Sequence, residues 1–285
     1  MEIKGRTDMA AEACRLWRRD EKELDGLPGV RAWEERDGAL GVSAVEILDG
    51  VGAERLGKPP GRYYTLELPE IPPRGDEGFR PAVEALARLL RRCIGEGARS
   101  FLLAALGNAE VTPDALGPLC AGFVFPTRHL IERGEPAFRG FSAVSVCRPG
   151  VLGTSGVESA GQVGALCRLL KPDCVLAVDA LAGADADRLC RTVQVSDAGV
   201  APGSGVGNDR AALTRETLGV PVVAIGVPTV IDAAYFAQNE RFRGLYVTPR
   251  GIGTTLHSAA RLIGCAIDLA AHPGLELEDV FALID

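Results

Sequence analysis

The 285-residue sequence predicts an α/β protein: a three-layer sandwich with a mostly parallel central sheet flanked by helices. Three observations carry this expectation. Apolar runs of strand length at 100–106, 174–178 and 220–225 are separated by segments with apolar residues at helical spacing. One run, CVLAV at 174–178, is dense enough to be buried on both faces and ends in Asp179, where open parallel sheets place their chemistry. The composition, 47% hydrophobic and 24% charged with only 5% aromatic, is that of a globular protein whose core is built from Ala, Val and Leu.

Taken in order, Thr7 or Asp8 reads as the cap of a helix over 9–18. Strands are expected at 45–48 and 63–68, the second after a Lys58-Pro59-Pro60-Gly61 turn. Residues 71–78, IPPRGDEG, form the clearest breaker cluster. Beyond it the spacing predicts a helix over 81–94, a strand over 100–106, a helix over 113–123 and a strand over 142–146. A helix over 159–170 follows, then the strand at 174–178 and another at 192–195. The pattern closes with a short helix at 210–217, a strand at 220–225 and helices at 257–271 and 278–284. The whole chain, 1–285, is expected to be one domain with a β-containing N-terminal subregion over 9–78.

Net charge of −7 argues against general affinity for nucleic acid or anionic membrane. The charged N-terminus has no apolar core for a signal peptide, and Pro221, Gly226, Pro228 and Asp232 interrupt the most apolar later stretch, so no membrane span is expected. Eight scattered cysteines without a C-x-x-C pair read as free thiols in a cytoplasmic protein.

Two aspartates stand out. Asp179 follows a buried strand, and its ordinary reading is the cap of a following helix. Asp114, in GNAEVTPDALGP, lies in a loop after another strand; Thr112 as cap, Pro113 in the first turn and Asp114 against the helix dipole account for it without any chemistry. Both acids nevertheless belong to the same edge of the predicted sheet, where paired carboxylates share a proton, bind a metal or activate water. The glycines of APGSGVGN at 201–208 suit a backbone nest for an anion or a substrate main chain, but the segment is neither G-x-G-x-x-G nor a Walker loop. Ser155 lacks G-x-S-x-G spacing, and His129, His257 and His272 lie outside strand-end loops, which disfavours a serine triad. There is no H-E-x-x-H and no Cys/His cluster, so no zinc site is expected.

Read together, RTDMAAEA, GN-x4-PDALGP, RPGVLG-x-SG-x-E, KPD-x-V-x-A-x-DALA, VQVSDAGV-x-PGSGVGN-x-R and LGVPVVAIGVPTV-x-DA, in this order, resemble the germination protease family of endospore-forming bacteria. Departures include Met9, Thr154-Ser155, Ser159, Ala198-Gly199-Val200 and a shorter stretch before the C-terminus. The resemblance implies a fold like that of hydrogenase maturation proteases and a cytoplasmic endopeptidase, in the forespore or spore core, that degrades small acid-soluble spore proteins. It implies Asp114 and Asp179 as the catalytic pair and a tetrameric assembly. It also implies a zymogen with residues 1–8 as propeptide, cut between Asp8 and Met9, where an acidic residue precedes an apolar one and Ala. Candidate substrate contacts are Asn108, Arg148, Glu158, Gly203, Ser204, Gly205, Asn208 and Arg210, with Arg148 or Arg210 reading the acidic residue before the cut. No cofactor is expected. The alternatives are a divalent metal on Asp114 and Asp179, with Glu158 as a third ligand, and a non-catalytic peptide-binding relative.

Overall fold

The computed structural model describes residues 7–20, 27–207, 210–237 and 239–284 and is built on one mixed sheet. Its strands are β1 (Val30–Asp37), β2 (Leu40–Ile47), β3 (Gly61–Glu67), β4 (Ser100–Ala105), β5 (Ala143–Cys147), β6 (Cys174–Gly183), β7 (Thr192–Ser196), β8 (Val222–Asp232) and β9 (Tyr246–Val247). They lie in the order β1-β2-β3-β7-β8-β6-β4-β5, with β9 on the far end of β8. The parallel part is β8-β6-β4-β5, with helical segments between β4 and β5 and between β5 and β6; β7, on the way from β6 to β8, runs antiparallel to β8 and carries the β1-β2-β3 meander on the same sheet.

The strand β4 shows why helices must cover both faces. Phe101, Leu103 and Ala105 point into a core closed by the helices Phe79–Ile94, Leu116–Cys120 and Ile252–Ala271, while Leu102 and Ala104 point into a second core under the helix Ser159–Leu170. The same alternation divides β6, with Cys174, Leu176 and Val178 on one side and Val175 and Ala177 on the other. A third cluster seats the helix Ala10–Asp20 against Val45, Ile47 and Tyr63. Among the described residues no disulfide joins two cysteines, and no helix is long and apolar enough to cross a membrane.

Several expected elements change. β1 has no sequence signal because VRAWEERD is a largely exposed edge strand; Arg88 and Arg92 of the helix behind it pair with Asp37 and Glu35. The expected helix over 113–123 is a 3₁₀ turn, Thr112–Asp114, followed by Leu116–Cys120, and Thr112 makes no cap bond. Only Arg215–Leu218 of the expected 210–217 helix is helical, since Leu213 forms a two-way backbone bridge to Val200 and Thr214 starts the helix from there. β6 and β8 run on to Gly183 and Asp232, beyond the apolar runs that announced them. Asp179 is therefore inside a strand, opposite Gly226 of β8, and no helix follows for it to cap.

Candidate active site

The extension of β6 places Asp179 against the end of β4. Leu106 N–H donates to Val178 O at 2.8 Å, after which the chain leaves the sheet through Gly107 at φ +108°. A side chain at Gly107 would be strained there, and its Cβ would lie 2.1 Å from Asp114 O. The loop folds back so that Asn108 N–H donates to both Asp114 O (3.1 Å) and Asp114 Oδ2 (2.9 Å). Asp114 thus comes to the cleft that Asp179 enters from below.

This cleft, of about 630 Å³, is lined by Asp8, Asp114, Asp179, Glu158, Arg210 and Tyr246 among others. Asp179 is 5% exposed and accepts from the N–H of Ala180 at 3.0 Å. Burial, then the charges of Asp114 and Asp8, hold its carboxyl well above the ordinary carboxylate range. Asp114 is half-buried; burial raises it too, opposed by the Asn108 N–H. Both acids are thus raised, Asp179 more strongly than Asp114.

The N-terminal segment fills part of this site. Asp8 N–H donates to Ala182 O at 2.8 Å, and Gln194 of β7 grips the segment twice: Nε2 donates to Asp8 O at 3.0 Å, and Oε1 accepts from Ala10 N–H at 2.8 Å. Met9 and Ala10 are fully buried. Of the two expected helix caps, Thr7 Oγ1 accepts from Met9 N–H at 3.1 Å, whereas the Asp8 carboxylate is turned away into the site. Asp8, on the N-terminal side of the bond expected to be cut, thus lines the acid cleft, and its carbonyl is held by Gln194 from the adjoining side. A further pocket of about 190 Å³ adjoins here, lined by Asp8, Lys58, Tyr63, Asp179, Gln194 and Ser204 among others.

The remaining sequence candidates divide. Asn108 shapes the loop that holds Asp114, while Gly203, Ser204 and Gly205 border Asp8. Arg210 lines the cleft but pairs with Glu158 at 3.6 Å, and Arg148 is exposed and lines neither pocket. Asn208 lies outside the described residues. Among the described residues no group of three or more His, Cys, Asp or Glu side chains could hold a metal ion. Gln194 and Lys58 were not anticipated. The one available signal was a polar Gln in the otherwise apolar run TVQV, which reads equally as an edge residue.

Glu12, one helical turn beyond the segment, accepts from Thr7 Oγ1 (2.5 Å) and Ala184 N–H (2.7 Å), while its Oε1 is buried without a partner. Burial pushes its carboxyl up to about 7. Because the folded state holds this proton more tightly than the unfolded chain, the stability linked to it is complete below the unfolded pKa of 4.5 and is lost as pH rises through about 7. The loss amounts to about 3 kcal/mol. Glu12→Gln is expected to remove that part of the pH dependence, so its melting temperature gains on the unsubstituted chain between about pH 5 and pH 8. Parallel melting curves across that range would refute the assignment.

A mixed α/β sheet with two acids in one cleft, bordered by Asp8 of the N-terminal segment, suits an endopeptidase. The sequence model described as germination protease matches residues 6–240. The chain is 35% identical to the germination protease of Clostridium tetani, over 96% of this chain and 98% of that protein. It is 42% identical to that of Bacillus cereus over 80% of this chain, which spans 63% of the longer relative. The chain belongs to the germination protease family, whose members are endopeptidases of spore germination. Among solved structures it is similar to a NiFe hydrogenase maturation protease, HycI, from Thermococcus kodakarensis KOD1. That likeness has a TM-score of 0.37 and 21% identity, and covers 63% of this chain and 98% of the other. It is too slight to define the fold, which rests on the strand order itself.

Proposed function

We propose that the chain degrades small acid-soluble spore proteins in the spore core at germination, and that it is made as a zymogen that cuts itself between Asp8 and Met9. The observation that carries this reading is the meeting of Asp8, Asp114 and Asp179 in one cleft, with the Asp8 carbonyl held by Gln194.

In this mechanism the pair carries one proton, on Asp179. Asp114 draws a proton from a water as its oxygen attacks the scissile carbonyl carbon, and Asp179 gives its proton to the carbonyl oxygen. Gln194 Nε2, already on that oxygen, stabilises the charge that develops there. On collapse Asp114 passes its proton to the leaving nitrogen, the C–N bond breaks, and a hydroxyl proton returns to Asp179. One water is consumed, and the products are a carboxyl terminus and an amine.

The pair acts without a metal in this reading. It is tested by incubating the purified chain with a small acid-soluble spore protein in the presence and absence of excess EDTA. Fragments cut after an acidic residue at equal rates in both samples are expected. A spore protein left intact would overturn the substrate assignment. Activity lost on chelation and restored by a divalent cation would overturn the metal-free mechanism.

A further inference from the structure

The side chain and the backbone of Asp8 have different partners. Its N–H and C=O are taken by Ala182 O and Gln194, contacts that any residue but proline would make at this position. Its carboxylate drops between β6 and the Ser204–Val206 turn. Oδ1 accepts from Ser204 Oγ at 2.9 Å, and Oδ2 accepts from Ala182 N–H at 2.9 Å. The space exists because residue 205 is glycine: a Cβ there would sit 2.1 Å from Asp8 Oδ2 and 2.7 Å from Ala182 Cβ. Lys58 borders the same pocket; burial lowers the pKa of its ammonium group, and the charges of Asp8 and Glu12 oppose that. Two hydrogen-bond donors converge on this side chain and a lysine lines the same pocket, and that chemistry suits a carboxylate. A neutral amide would turn an NH₂ group against one of the donors, and a lysine would face the donors and Lys58 together.

We propose that Ser204, the Ala182 amide and Lys58, over the bare floor at Gly205, form a carboxylate socket that selects an acidic residue immediately before the scissile bond. Asp8 fills this socket in the uncut chain, and the equivalent residue of a polypeptide substrate takes its place afterwards. The division of labour is that of extended-peptide recognition generally, in which backbone bonds supply affinity and side-chain pockets supply specificity. Arg210, tied to Glu158, and Arg148, outside both pockets, take no part in it. The inference rests on the reading of Asp8–Met9 as a bond that this site cuts.

Double-mutant cycles on the full-length chain test it, with the cut at Asp8–Met9 followed by intact mass between about pH 5 and pH 8. Asp8→Asn, Ser204→Ala and Lys58→Met are each expected to slow the cut about tenfold, the size of one charge-assisted contact. Added to Asp8→Asn, neither Ser204→Ala nor Lys58→Met is expected to slow it more than about twofold further, because the partner carboxylate is already gone. A merely structural role would give the product of the single effects, and that additivity overturns the socket while leaving self-cleavage intact. An unsubstituted chain that never cuts at Asp8–Met9 overturns the self-cleavage reading and the socket with it. Lys58→Arg keeps the positive charge and is expected to recover most of the rate lost in Lys58→Met. No recovery would remove Lys58 from the socket.

Discussion

Asp179→Asn is expected to end proteolysis, in the chain's own N-terminal segment and in added spore protein alike, while the protein becomes more stable at neutral pH. The two effects have one cause. Asp179 is buried in β6, with Asp114 and Asp8 as charged neighbours, so its folded-state proton affinity is well above that of the unfolded chain. A group raised in this way contributes stability at low pH and withdraws it as pH climbs above the ordinary carboxylate range. Asparagine keeps the shape and the contact to the Ala180 N–H without ever having a proton to lose. The stability gain over the unsubstituted chain should therefore grow with pH. The same replacement removes the proton that must reach the scissile carbonyl oxygen, a general-acid contribution of about 10²–10⁴-fold. Asp114→Asn is expected to lose as much activity, with a smaller change in stability because Asp114 is only half-buried. Cleavage rates and melting temperatures of both variants check this. A variant that cleaves at the normal rate would remove its aspartate from the mechanism, whatever its melting temperature.

Gln194→Ala carries the second large effect. The side chain makes two bonds to the N-terminal segment, to Asp8 O and Ala10 N–H, and in the proposed mechanism the first of these is the oxygen on which charge develops. Removing it leaves a carbonyl and an amide unpaired where Met9 and Ala10 are fully buried, at about 1–3 kcal/mol for each group. A lost oxyanion donor slows the chemical step about 10²–10³-fold. Self-cleavage is thus expected to fall steeply, and the Thr7–Ala13 segment should become accessible to an added protease. Gln194→Glu separates the two contributions, since it keeps the acceptor for Ala10 N–H and loses the donor to the Asp8 carbonyl. If Gln194→Glu cuts as fast as the unsubstituted chain, the carbonyl contact is not used in catalysis.

The parallel centre of the sheet was legible because its strands are buried on both faces. In β4 and β6 almost every residue must be apolar, and such runs stand out between helical segments of ordinary amphipathic spacing. β1 escaped for the opposite reason: as a charged, exposed edge it carries no core face to reveal it. The lengths of β6 and β8 also escaped. Once past Val178 the chain continues as a strand through Asp179 and Gly183 because β8 lies beside it, with a shift of register at Leu181/Ala182. Nothing within KPDCVLAVDALAG itself distinguishes that from a strand followed by a capped helix. The two acids were visible as a pair from their places after two buried strands, and the order of the motifs around them supplied a family.

The sequence by itself determined an α/β chain of the germination protease family, with aspartates after two buried strands and an acidic-apolar-Ala segment near its start. Apolar spacing and motif order are local properties, and they survive without knowledge of contacts. Only the tertiary structure decided what faces what. It put Asp179 inside a strand, brought Asp114 back to it through the Gly107 turn, and laid residues 8–10 along β6 and β7. It also turned the Asp8 carboxylate toward Ser204 and the Ala182 amide rather than toward an arginine. Those pairings join residues more than 170 positions apart. They depend on where the sheet carries each strand end, and no local pattern encodes that.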